Sequence, residues 1–543
     1  MRILKMSLNS LALATLGVCA CQPAAAQSYK VTNIVSDGSV PAITTDANFL
    51  NPWGVSASGT WWISTANSGF NYVVPAAGTI AFKVIVPSAA NVSTSVGLPA
   101  GSVTTAGATG MILPNGFKAS FLFSTLDGTI SGWNNKLGTA NALSAIVINN
   151  NGSGASYPGL ALLNTATSSY LLAPNFASGA IEVYDNTFKP TKLAGSFTDP
   201  TLPSGYSPFS VHVLGTQVIV AYGVKTAKAP YDTVEGLGNG VVSIFDTAGN
   251  FVTRAVKGGN LNSPWGVAYA PASFGVFSSA LLIGNFGDGK INAYDPKTYA
   301  YLGQLMDSTG KSLVYASLWD LLTGGTTVTG TTSVSGGDTS TVYFAAGLAN
   351  EQHGLFAGIS NATIAGSVPT VGLSAGSGAA TVTAGGATQV ALSVVPVNGF
   401  SGTVTLACSG LPVSGTCIFS PAQLSVSPTA PALASVTIQT QKAIAANAPR
   451  HRSGTYAAGL SLAFMLPLGA LFAVRRRRMG TSSSSALRLM GVALFSIVAA
   501  GFFAGCSDGV IKVPATPAGQ STVVITATAG SVSQQTSIAL TVQ

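Results

Sequence analysis

From residue 28 onward the chain alternates apolar and polar positions in short runs, broken by Gly, Asn, Asp and Pro. That period-two pattern predicts half-buried β-strands joined by tight turns. Near residue 280 four such runs follow one another: GVAYAP, SALLIGNF, GKINAYD and AYLGQLM. Three segments break the alternation by being apolar throughout, Met6–Cys19, Thr455–Val474 and Leu489–Gly505. Outside them no long stretch keeps a helical period, so the chain is expected to be all-β.

The strand pattern recurs. Gly-x-(Ile/Val)-x-x-aromatic-(Asp/Asn) reads Gly128 to Asn134, Gly179 to Asp185, Gly240 to Asp246 and Gly289 to Asp295, with degenerate copies at Gly78 and Gly354. The spacing of roughly fifty residues, with about four strands per unit, predicts the blades of a β-propeller. Glycine permits the positive φ of the turn, the aromatic packs between blades, and the Asp or Asn ends the strand. A second element precedes it as Asn51-Pro52-Trp53-Gly54-Val55, Ser263-Pro264-Trp265-Gly266-Val267 and Ser207-Pro208-Phe209-Ser210-Val211. Six copies predict a six-bladed propeller over residues 28–360. The sixth unit stops one strand short at Ile359, and Tyr29–Ser36 is a strand without a unit, so it is expected to complete that blade and cover its edge.

From residue 368 the strands become rich in Thr, Val and Ser: Val371–Ala375, Ala380–Ala384, Gln389–Val395, Gly402–Cys408, Thr416–Ser420, Gln423–Ser427 and Ser435–Thr440. This spacing predicts an immunoglobulin-like sandwich. Its last hairpin is missing before the apolar runs and follows them, as Ser521–Ala529 and Gln534–Val542. The domain over 368–440 is thus expected to be completed by residues 511–543.

Thr455–Val474 is about twenty residues without a charge, long enough to span a bilayer as a helix. Arg475–Arg478 opens a basic loop, 475–488, that marks the cytoplasmic side. Leu489–Gly505 would then return the chain, leaving both β domains on one outer face and anchoring them in the membrane. Met1–Lys5, Met6–Cys19 and Ala24–Ala26 form the basic, apolar and small-residue parts of a signal peptide ending at residue 26. The same apolar hairpin also fits two rivals, a sorting tail that is cut away and a lipoprotein signal before Cys506.

Net charge of +8 invites a nucleic-acid reading until it is located. It resides in Arg2 and Lys5 of the leader, and in Lys442, Arg450, Arg452, Arg475–Arg478 and Arg488 beside the apolar runs. The rest is close to neutral and offers phosphates no basic stripe, which argues against nucleic acid as a partner.

NIVSDG at Asn33, FLNPWGV at Phe49 and FAAGLANEQHGLFAGI at Phe344 resemble an uncharacterised family of exported bacterial propeller proteins. The resemblance implies a six-bladed propeller of unknown function. GTVTLACSGLPVSGTCIFSP together with TPAGQSTVVITATAGSVSQQTSIALTV is similar to one bacterial immunoglobulin-like repeat, split by the apolar hairpin. Cys408 and Cys417 could form a disulfide in an oxidising compartment; a zinc pair is the alternative but has no further ligands.

Candidate chemistry is sparse. Asn67, Asn175 and Asn285 follow the second strands of three blades, with Asp127 and Asp288 nearby. Propellers of the gluconolactonase type bind a divalent metal at such a place, and oxygen donors suit calcium. Asn and Asp equally cap tight turns with no ligand. Glu351 and His353 are close enough in sequence for a carboxylate to orient a general base, or to tie a loop to the next blade. Trp53 and Trp265 could stack on a sugar or wedge blades together. Val211, His212 and Val213 alternate on a strand. These residues leave three classes open: an envelope protein binding a polysaccharide or protein through the propeller, a metal-dependent hydrolase or lactonase, and a structural spacer.

Overall fold

The computed structural model describes residues 27–90, 95–229, 231–325, 336–363, 368–442, 444–445, 512–513 and 515–543. The leader, the two apolar runs, the arginine loop and Cys506 lie outside these residues. Among the described residues no helix is long and apolar enough to cross a membrane. The protein is nearly all β.

Six consecutive sheets form a propeller-like ring, here called blades I to VI. Their innermost strands are Pro52–Ser58, Pro99–Thr104, Ala161–Asn164, Tyr206–Leu214, Pro264–Tyr269 and Leu318–Thr323. Each blade then runs outward by antiparallel pairing, for instance Leu281–Asn285, Ile291–Tyr294 and Tyr301–Gln304 in blade V, with a two-residue parallel pairing at the outer edge of blades I and VI. Blade III has three strands, with a lone Tyr184–Pro190 bridge beyond the third. In blade VI the strand Gln27–Ser36 pairs antiparallel with Leu355–Thr363, so the first strand of the ring is hydrogen-bonded to the last. An edge that would otherwise present free N–H and C=O groups is thereby covered.

The repeat residues act as their chemistry suggests. Trp133, Tyr184, Phe245 and Tyr294 are buried, each in an apolar cluster shared by two neighbouring blades. The Asp or Asn that follows turns the chain. Asp185 Oδ1 accepts from the N–H of Thr187 and Lys189 at 2.8 and 3.0 Å, and Asp246 Oδ1 from Ala248 and Asn250 at 2.9 and 2.8 Å. Such side-chain turns satisfy backbone donors that the strand ladder has just released.

The second motif explains how the ring closes at its axis. A Cβ on Gly54 would lie 2.5 Å from Ala100 O and 2.9 Å from Ser102 N. On Gly101 it would meet Leu160 N at 2.6 Å, and on Gly266 Trp319 O at 2.5 Å. The inner strands of adjacent blades therefore touch backbone to backbone, at a position where most blades have no side chain.

After residue 368 two sheets face one another across a single apolar core. One is Thr370–Ala375, Ala387–Val397, Ala432–Gln439 and Thr416–Ser420; the other is Ala379–Val382, Val532–Val542, Gly519–Ala529, Gly402–Ser409 and Gln423–Val426. Cys408 and Cys417 are joined as a disulfide between the two sheets. The C-terminal hairpin is integral, because Gly519–Ala529 pairs with Gly402–Ser409 and Val532–Val542 with Ala379–Val382. Where the chain leaves this unit and where it returns are neighbours: Thr516 N donates to Gln441 O and Gln441 N to Thr516 Oγ1, both 2.9 Å. Ile444–Ala445 pairs with Lys512–Val513 just beyond. Blade V docks on both sheets, through Asn398 Nδ2, just after a strand of the first, to Ser308 O (2.7 Å) and Gln534 Nε2 of the second to Thr309 O (2.9 Å), and Val395 and Val397 join the core between blades V and VI.

Backbone contact at the axis makes Gly266→Ala an overpacking substitution with no flexible neighbour to yield, expected to cost about 1–3 kcal/mol. Gly152→Ala, with nothing within 4 Å, is the control. A urea melt followed by tryptophan fluorescence checks this, since every tryptophan lies between residues 53 and 319; equal midpoints for the two variants would contradict the contact.

Candidate functional site

The six inner strands surround an axial cavity of about 520 Å³. Its wall is Gly54–Ala57, Gly101–Thr104, Leu160–Leu162 with Asn164, Val211–Gly215, Val267–Ala270 and Asp320–Thr323, and Trp265 also borders it. Most of that surface is aliphatic. The volume lies in the range of small-molecule sites.

One end of the axis is plugged. The residues that enter the inner strands turn inward: Trp53, Phe209, Trp265 and Trp319, joined by Phe176 and Phe286 from the second strands of blades III and V. Trp53 and Trp319 stack with centroids 3.3 Å apart, Phe286 lies 4.3 Å from Trp319, and Phe209 meets Trp319 edge-on at 5.9 Å. Blades II and III contribute the small Ala100 and Pro158 at the equivalent place, which leaves room for four large rings. Trp319 Nε1 donates to Asn51 Oδ1 at 2.9 Å and Trp265 Nε1 to Pro158 O at 3.2 Å, so the plug is tied across the ring. The outgoing ends of several inner strands are partly exposed, at Leu162, Val213, Leu214, Tyr269 and Thr323, so the cavity opens at the end opposite the plug.

Two titratable groups stand out in the wall. Asp320 occupies the position that is glycine in blades I, II, III and V. Its Oδ2 accepts from Val55 N of the next blade at 2.7 Å and its Oδ1 from Leu321 N at 2.8 Å. Burial pushes its pKa up to about 7, against the pull of those two N–H donors. His212 has Nε2 at 2.9 Å from Trp265 O. A carbonyl can only accept, so Nε2 carries the proton and Nδ1 is the acceptor of the neutral ring. Burial pushes the imidazole down to about 4, partly opposed by that bond.

The residues singled out by pattern are placed differently from one another. Trp53 and Trp265 are both buried in the plug, where they pack against residues of other blades, and Trp265 also borders the cavity. Asn175 Oδ1 accepts from Ser156, Ala177 and Ser178 N–H groups while its Nδ2 donates to Glu182 Oε1. Asn67 receives Asn51 Nδ2 and donates to Glu351 O. Asp127 accepts from Ala89 N. Asn285 donates to Asp288, which also holds Lys290 at 3.3 Å. Of these five, Asn285 and Asp288 are bonded to each other; Asn175 organises its own turn, Asn67 reaches the blade VI turn at Glu351, and Asp127 holds the Ala89 loop, while Asp127 Oδ1 and Asn285 Oδ1 are buried without a protein partner. Among the described residues no three His, Cys, Asp or Glu side chains come together as metal donors.

Glu351 does not orient His353. The imidazole Nδ1 lies 2.6 Å from Asp37 Oδ2, while Glu351 Oε2 accepts from Asn51 Nδ2 at 2.6 Å. The cause is the backbone: Ala349, Asn350 and Glu351 have φ of 52°, 55° and 66°, one left-handed turn that points the two side chains apart. Such residues are costly and persist only where their surroundings hold them. Asn51 and Asn67 do so here, linking this turn of blade VI to blade I. Burial raises the Glu351 pKa, Asn51 opposes it, and the charges of Asp232 and Glu235 add to it. The site signal that pattern alone missed was Asp320, an acid inside an apolar LWDLL strand.

Fold and cavity define a class, the all-β proteins with a propeller-like ring and an axial pocket. No family model matches the chain. An uncharacterised protein of Acanthamoeba polyphaga mimivirus is 26% identical over 321 residues, 56% of this chain and 78% of that one. A second uncharacterised protein of the same virus is 28% identical over 306 residues, 53% of this chain and 77% of that one. Among solved structures, the PQQ-bound aldose sugar dehydrogenase of Streptomyces coelicolor is 11% identical, covers 62% of this chain and 99% of its own, and has a TM-score of 0.35. An α-L-arabinofuranosidase of Fusarium graminearum is likewise 11% identical, over 60% and 97%, with a TM-score of 0.38. Likenesses this distant say nothing about chemistry, and the curated relatives are viral rather than bacterial.

Asp320 and His212 pull stability in opposite directions with pH. A depressed His stabilises above its ordinary pKa and loses that as pH falls; a raised Asp stabilises when protonated and loses that as pH rises toward 7. Relative to the parent, His212→Phe is expected to gain melting temperature as pH drops from about 7 to about 4.5, and Asp320→Asn to lose it. Differential scanning calorimetry checks this; parallel slopes for the two variants would refute the assignment.

Proposed function

We propose that this is an exported, membrane-anchored binding protein of the cell envelope, whose six-bladed propeller takes its ligand in the axial cavity. The observation that carries the reading is the cavity itself: walled by six strands, closed by aromatic rings at one end, open at the other and lined mainly by aliphatic side chains. A pocket of that kind suits a small ligand better than a polymer, which moves the emphasis from envelope polysaccharide to a compact molecule. For the metal-dependent hydrolase reading, no cluster of three His, Cys, Asp or Glu side chains is found among the described residues.

Anchoring draws support from the way the second domain is interrupted. Gln441 and Thr516 bond to each other, so the intervening chain starts and finishes at one corner of an immunoglobulin-like sandwich. An excursion that crosses the membrane and returns beside the arginine run fits that geometry, with the propeller and both parts of the sandwich outside. The disulfide between Cys408 and Cys417 fits an oxidising compartment.

Two measurements test this. Alkaline phosphatase fused after Gln543 is expected to be active and a fluorescent protein inserted in 479–487 to be fluorescent; the reverse pattern removes the shared outer face. N-phenylnaphthylamine is expected to brighten on binding the full chain, and Val213→Trp, which fills the cavity, to lower that signal severalfold. Equal signals from parent and variant would exclude the cavity as the ligand site.

A further inference from the structure

One blade departs from the others at the axis, and the departure gives the cavity a sign. Four blades have glycine where the inner strand crosses its neighbour, blade IV has Ser210, and blade VI has Asp320. Ser210 gives its hydroxyl to Trp265 O. Asp320 bonds to two backbone N–H groups, one to each oxygen. A carboxylate has about four acceptor positions, so half of its capacity is unused. It is 6% exposed, and the cavity is the space beside it.

Among the described residues no lysine or arginine lines the cavity. Its other polar side chains have partners: Ser56 and Ser102 bond to each other, Thr323 donates to Tyr269 O, and Asn164 accepts from Ser169. The neutral His212 ring offers Nδ1, another acceptor. Among the described residues the lining thus holds one carboxylate and no cationic side chain. A buried carboxylate without a counter-ion is costly unless a cation or a strong donor meets it. Among the described residues no three His, Cys, Asp or Glu side chains gather as they do around a protein-held metal ion. An organic cation needs only one anchor and an apolar wall.

We infer that the ligand of the axial cavity is a compact apolar molecule with one basic nitrogen, whose ammonium group pairs with Asp320 while its body lies along the aliphatic wall. This rests on the cavity being the binding site. No bond forms or breaks; the step is a desolvated, charge-assisted hydrogen bond, the strong kind. The remaining titratable groups in the lining are His212 and Tyr269. Burial keeps both neutral where Asp320 ionises, the first pushed down and the second pushed up.

The test compares naphthylmethylamine with its isostere naphthylmethanol, each displacing N-phenylnaphthylamine from the full chain. At about pH 8 the amine is expected to bind roughly tenfold tighter or more, the size of a charged hydrogen bond. That advantage is expected to vanish at about pH 5.5, where a carboxyl of this kind is protonated, and to vanish in Asp320→Asn with alcohol binding retained. Should Asp320→Asn fail to fold, the pH comparison on the parent decides alone. Equal affinities at the higher pH overturn the charge pairing while leaving the cavity as a binding site. Failure of both probes to bind, or binding that Val213→Trp does not reduce, overturns both.

Discussion

The close approach of backbones at the axis is the constraint on which the rest depends. Six strands can ring a narrow channel only if the residue facing the neighbouring strand carries almost nothing beyond Cα. Gly54, Gly101, Gly159 and Gly266 meet that condition, and a Cβ on Gly54, Gly101 or Gly266 would lie 2.5 to 2.6 Å from neighbouring backbone, well inside van der Waals contact. Once the strands are that near, the residue just before each glycine is directed to the axis. Trp53 and Trp265 become a plug with Trp319 and Phe209, and the cavity begins directly above them. Asp320 is informative for the same reason: a charged group has been kept where the geometry favours none.

Around that centre the blades are built from local rules repeated. An aromatic fills each blade interface, an Asp or Asn releases the chain into a turn, and the core divides into one apolar cluster per interface. Contacts of this kind are modular, so the ring needs one non-local event to become a closed object. The pairing of Gln27–Ser36 with Leu355–Thr363 supplies it, and Asn51 and Asn67 reinforce the seam by holding the left-handed turn at Ala349–Glu351. Two-ended latching of this sort couples the stability of the first blade to the last.

The second domain depends on a non-local event too. Its core uses strands from both sides of the apolar runs, so neither part has a complete hydrophobic face alone. The zip at Gln441 and Thr516 brings the two parts into register, and blade V docks against the result through main-chain carbonyls of Ser308 and Thr309. The ring and the sandwich therefore meet over a hydrogen-bonded contact with a small apolar centre at Val395 and Val397.

Much of this architecture was legible in the chain because it rests on short-range chemistry. Strand alternation, the recurring Gly-to-Asp unit, the Trp-Gly pairs and the two half-sets of sandwich strands are each fixed within about ten residues, and period and turn chemistry report them directly. The site was not legible in that way. His353 sits two residues from Glu351 yet bonds to Asp37, because three left-handed residues turn the neighbours apart. The Asn and Asp of the blade ends looked convergent by position, but they bond to separate partners: Asn175 to its own turn, Asn67 to Asn51 and the Glu351 carbonyl, Asp127 to Ala89, and Asn285 to Asp288. Asp320 and His212, far apart in sequence, share one cavity wall because the inner strands of blades IV and VI both face the axis of the closed ring. Sequence by itself determined what each segment would become; only the tertiary structure decided which side chains face a common space, since that depends on long-range closure that no local pattern records.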